Sequence, residues 1–69
     1  MKQNKKENLL GFELFNNKEE HVLSIYPYEA NTIEEAVKIG QRYAQYHPGS
    51  LPISIRQKSI VAKTVRVIS

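Results

Sequence analysis

The 69-residue chain contains no cysteine, so it has no disulfide framework and no thiolate zinc site. It has no apolar run long enough to span a bilayer or to form the core of a secretory signal, which fits a cytoplasmic chain. It has no acidic residue after Glu35. It also lacks the catalytic signatures GxSxG and HExxH and any glycine-rich phosphate loop. A chain this short has no room for a second domain or a deep cleft. No catalytic residue, no cofactor and no metal site is therefore expected, and the chain does not read as an enzyme.

The histidines, His21 and His47, do not change that expectation. His21 follows Glu19 and Glu20, but a carboxylate–histidine cluster within one loop reads as a solvated turn. His47 is explained by the end of a helix, where partial positive charge is favourable.

Forty-one per cent of the residues are hydrophobic, enough for a folded core and too many for a disordered chain. At this size only about 60% of the unfolded surface is buried, so stability is modest. Residues 31–49, NTIEEAVKIGQRYAQYHPG, carry the clearest local signal. Thr32 is the expected N-cap, accepting from the N–H of Glu35, with Glu35 reaching back to the N–H of Thr32 as a capping box. Asn31 is the rival cap. Ile33, Ala36, Val37, Gly40, Tyr43, Ala44 and His47 recur at steps of three and four and form one face. Ile39 and Tyr46 flank it, while Glu34, Lys38, Gln41, Arg42 and Gln45 lie opposite. Gly40 inside the stripe costs about 0.5–1 kcal/mol against Ala, which a close approach to a sheet would offset. Pro48 disfavours helical geometry at His47, and Gly49 can adopt a positive φ.

Strands are expected on both sides of this helix. Residues 9–15 alternate, with Leu10, Phe12 and Leu14 on one side. Asn16 and Asn17 supply a turn that tolerates left-handed geometry. In residues 21–26, Leu23 and Ile25 face the helix, and Val22, Ser24 and Tyr26 face away; Pro27 marks the strand's end or an edge. Residues 51–56 place Leu51, Ile53 and Ile55 inward, and residues 57–59 make a polar turn. Residues 60–68 form the last strand in one of two phases. The favoured phase buries Val61, Val65 and Val67 with Lys63 snorkelling; the other buries Ile60, Ala62 and Ile68 and points Thr64 and Arg66 inward. A bulge that switches phase partway is the third solution. The fold class is α+β: ββαββ, one antiparallel β-sheet with a single helix packed on one face. Residues 1–8 read as a basic tail and residues 9–69 as one small domain.

Charge is unevenly placed. Residues 1–8 carry a net +2, residues 9–35 a net −5 and residues 36–69 a net +6. Such asymmetry suggests a surface for a charged partner, although the two halves could also neutralise each other across the sheet. The candidate partner-binding residues are Arg56, Lys58, Lys63 and Arg66 on the final hairpin, Lys38 and Arg42 on the exposed helix face, and Tyr26 as an aromatic anchor beside the hairpin. The sheet face without a helix, expected to carry Val22, Tyr26, Arg56, Thr64 and Arg66, is a second description of that binding surface.

The run Thr32-Ile33-Glu34-Glu35-Ala36-Val37, then Ala44, then His47-Pro48-Gly49 and a short hairpin, resembles very small phage proteins, small anti-CRISPR proteins among them. The resemblance lies in the layout of residues 31–68 and carries over no functional residue. It implies an inhibitor, in a bacterial cell or phage-infected host, that docks on a CRISPR effector complex and blocks nucleic-acid binding. A protein complex or nucleoprotein is then the expected partner. The alternatives are direct binding of nucleic acid by the basic half, and a homodimer formed through an edge strand. The interleaved aromatic-basic motif of RNA-binding sheets is missing, which ranks direct nucleic-acid binding second. No membrane partner is expected.

Overall fold

The computed structural model describes residues 9–59 and 62–69. The order of elements is β1 (Gly11–Phe15), β2 (His21–Ile25), α1 (Ile33–Tyr46), a 3-10 turn (Pro48–Ser50), β3 (Ile53–Lys58) and β4 (Lys63–Ile68). The strands form one antiparallel sheet in the order β2-β1-β3-β4. The expected ββαββ architecture is thus the observed one, with the helix packed mainly over β3 and β4. The expected basic tail, residues 1–8, lies outside the described residues.

The helix begins where its cap predicts. Thr32 Oγ1 accepts from the N–H of Glu35 at 3.2 Å. The return bond differs from expectation: Glu35 Oε1 accepts from the N–H of Asn31 at 2.9 Å, not from Thr32. The carboxylate reaches one residue further back, so both candidate caps take part. Ala36 and Gly40 are buried, and Ile33, Val37, Ile39, Tyr43 and Ala44 pack against the core from the helix side. The helix closes with the N–H of His47 donating to Tyr43 O at 2.9 Å. Gly49 lies in the following 3-10 turn and does not use its conformational freedom.

The buried core consists of Phe12, Leu14, Ile25, Ala30, Ala36, Ile53 and Ile55. Gly11 changes the alternation of the first strand. Its φ is +119°, and a Cβ there would collide with the carbonyl oxygen of Ile25. Left-handed backbone at one position reverses the phase before it. Consequently Leu9 packs against the core and Leu10, expected inward, is exposed. The register between β1 and β2 shifts after Leu14, pairing Phe15 with His21. This bulge lets Val22, expected on the outer face, pack against the core with Leu23. In the turn between these strands the left-handed residue is Glu19 (φ 62°), not an asparagine. The asparagines have other work. Asn16 Oδ1 accepts from the N–H groups of Lys18 and Glu20, each at 2.9 Å. Asn17 Nδ2 donates to Gly49 O at 3.0 Å and Leu51 O at 2.9 Å, tying the hairpin to the chain after the helix.

The final hairpin is displaced from its expected bounds. Gln57 and Lys58, expected in the turn, belong to β3, because they pair with Phe12 and Gly11 of the central β1. The last strand begins at Lys63, and the readings of Ile60 and Val61 fall outside the described residues. A register shift between Ile55 and Arg56 switches its phase. Val65 and Ile68, which belong to opposite phases, both pack against the core, while Val67 and Ala62 are exposed. Neither uniform phase is adopted, and the bulge is the solution.

Candidate functional site

The sheet face away from the helix is built row by row from the register. Ser24, Glu13, Arg56 and Thr64 are partners across the four strands, and His21, Phe15, Ser54 and Val67 form the next row. Gly11 and Lys58 begin a third. The first row sets an acid between a hydroxyl and a guanidinium. The second sets an aromatic ring between an imidazole and a small polar residue.

Side-chain contacts bind the rows together. The Arg56 guanidinium carbon stands 4.0 Å from the centre of the Phe15 ring, a cation–π contact. The His21 ring meets the Phe15 ring edge-on, with centroids 5.6 Å apart. His21 Nε2 and Ser24 Oγ share a hydrogen bond of 2.9 Å, possible because the bulge puts residues three apart on one face. The Glu13 carboxylate oxygen Oε2 lies 3.8 Å from His21 Nε2 and 3.9 Å from Lys58 Nζ. An acid from the first half of the chain therefore sits beside the cations of the second. These contacts are long and partly exposed and contribute little to stability.

The expected binding residues do not form one patch. Arg56 and Lys58 share the open sheet face with Thr64. Arg66 is the register partner of the core residue Ile55 and Lys63 that of Gln57, so the bulged strand moves both off the row of Arg56. Lys38 and Arg42 are exposed on the helix, on the other side of the sheet. Among the described residues Lys38, Arg42, Lys63 and Arg66 make no ion pair. Tyr26 follows β2, and β1 and β3 separate β2 from β4, so it does not stand beside the final hairpin. It stacks instead on Tyr28, with centroids 5.9 Å apart and rings nearly parallel at 2°. The aromatic residue that does accompany the hairpin is Phe15. Ser24 faces away from the helix as expected, whereas Glu13, Phe15 and His21 are the residues of this face that sequence reasoning missed. The alternation of residues 11–15 placed Glu13 and Phe15 on the outer side and could have found them.

Other arrangements bear on the remaining expectations. Among the described residues no group of three or more His, Asp or Glu side chains could hold a metal ion. The Glu20 carboxylate accepts from Asn16 Nδ2 at 2.9 Å. His47 stacks on Tyr43 with centroids 4.3 Å apart. Among the described residues strand β4 is an edge strand, as pairing with a second copy would require. Among the described residues no helix is long and apolar enough to cross a membrane. No protein family, no curated protein and no solved structure matches this chain.

Proposed function

We propose that this chain is a small non-enzymatic binding protein, an inhibitor of the anti-CRISPR kind, that docks on a CRISPR effector complex and blocks nucleic-acid binding. The partner class comes from the layout resemblance. The docking face is the uncovered side of the sheet. One observation carries this reading: Arg56 is held over the Phe15 ring on a sheet face that no helix of the described residues covers. Arginine and aromatic side chains dominate the energetics of protein interfaces, and an arginine already positioned loses less freedom on binding.

Direct nucleic-acid binding by this face is the second reading, favoured by the same pairing of a ring with a cation. Glu13 argues against it. Its carboxylate stands in the middle of the face, next to Lys58, and would oppose a phosphate backbone. A protein surface can present a donor to Glu13 and an acid to Arg56 at the same time.

The test is binding of the purified chain to purified CRISPR effector complexes, and separately to bare single-stranded DNA and RNA, on a biosensor surface. The proposal expects binding to a complex at physiological salt and none to bare nucleic acid. Affinity for bare nucleic acid that falls steeply between about 50 and 200 mM salt establishes the second reading instead. Absence of binding to every effector complex overturns the partner assignment.

A further inference from the structure

Because the helix packs mainly over β3 and β4, its flank toward β2 is left without a full partner. There a groove of about 250 Å³ opens, lined by Leu23, Ile39, Arg42, Tyr43, Tyr46 and His47. Its walls are mostly apolar or aromatic. Leu23 forms the sheet side and Ile39 and Tyr43 the helix side, all three partly buried against the core. The Tyr43 ring stacks on His47, with centroids 4.3 Å apart. Tyr46 is 75% exposed and forms an outer lip. Arg42 is the permanent charge of the lining. Among the described residues it makes no ion pair or hydrogen bond, and no acid lines the groove.

We infer that this groove is a socket for a partner protein segment that inserts one apolar side chain and sets a neighbouring carboxylate on Arg42. The volume is below that of pockets that enclose small molecules, and suits a single large side chain. With Tyr46 so exposed, a free small ligand would keep much of its surface in water. A segment belonging to a larger partner brings the rest of the cover with it. The charge selects an acidic segment: a carboxylate gains a charge-assisted, two-pronged bond from the free guanidinium, whereas a basic segment meets repulsion. The site is on the helix side of the sheet, separate from the face of Arg56 and Phe15, and does not depend on the function proposed for that face.

The probes are three blocked pentapeptides: Glu-Glu-Phe-Glu-Glu, the same peptide with Ala at the centre, and the same peptide with Lys for every Glu. Each is titrated into the isotope-labelled chain while backbone amide resonances are followed. The Phe-centred acidic peptide should move the resonances of Leu23, Ile39, Tyr43 and Tyr46 in a saturable way. The Ala-centred and basic peptides should not. Arg42→Gln and Tyr46→Ala alter exposed side chains, and each should weaken the acidic peptide by about fivefold or more with the spectrum otherwise preserved. Three results overturn the inference: no movement at these residues, equal movement with the control peptides, or movement confined to Arg56 and Lys58.

Discussion

A Cβ built on Gly40 would stand 2.7 Å from Cδ1 of Ile68, so the helix meets the last strand at the one position without a side chain. The contact atom is the far end of a side chain on the edge strand, which has room to yield. Gly40→Leu adds more than this seam can take and should destabilise by about 1–3 kcal/mol. Gly40→Ala sets a helix-propensity gain of about 1 kcal/mol against displacement of Ile68. In an Ile68→Val background, which removes Cδ1, Gly40→Ala should be stabilising. Denaturant midpoints of the four-member cycle check this; additivity would show that the two residues do not touch.

Gly11 makes a harder demand. Its φ of +119° and the Ile25 carbonyl beside it leave no place for a Cβ. Gly11→Ala should cost about 1–3 kcal/mol from backbone strain alone, and more from the collision. A thermal midpoint equal to the parent's would mean that β1 does not approach β2 as described.

The helix start and the turn after the helix each depend on one polar side chain. Thr32→Ala removes the bond to the N–H of Glu35 and should cost about 1 kcal/mol.

Asn17→Ala removes two bonds, to Gly49 O and Leu51 O, and should cost a similar amount, about 0.5–1.5 kcal/mol, because the group is exposed. Its signature is local. Amide exchange should quicken in residues 47–51 with the helix interior unaffected, and uniform quickening would contradict a local role.

For partner binding, the register separates two arginines that the sequence groups together. Arg56→Glu should weaken binding by at least about 2 kcal/mol, roughly thirtyfold, because it destroys the Arg56–Phe15 pair and sets two acids side by side with Glu13. Arg66→Glu, on the other phase of the bulged strand, should have a much smaller effect. Circular dichroism of both variants guards against unfolding. Equal losses would move the docking site from the sheet face to the hairpin edge.

The sequence by itself determined the local structure. The helix over residues 33–46, its Thr32 cap, its stop before Pro48 and the inward set Phe12, Leu14, Ile25, Ile53 and Ile55 follow from periodicity, capping and turn chemistry, which act over a few residues. Only the tertiary structure decided the strand order and the phase at three places: Gly11, the bulge at Val22 and the bulge at Val65. Strand phase has a period of two, so one residue of left-handed backbone or one unpaired residue reverses every side chain beyond it. Such a residue is set by what lies across the sheet, not by its neighbours in the chain. That is why Leu10 and Leu9 exchange places and why Arg66 leaves the row of Arg56, while the strand order puts Tyr26 at the far edge from the hairpin. It is also why the candidate site changed composition. Arg56 and Lys58 were legible as charges without a local counter-ion. Their companions Glu13, Phe15 and His21 come from about forty residues earlier in the chain and meet them only through the pairing of β1 with β3.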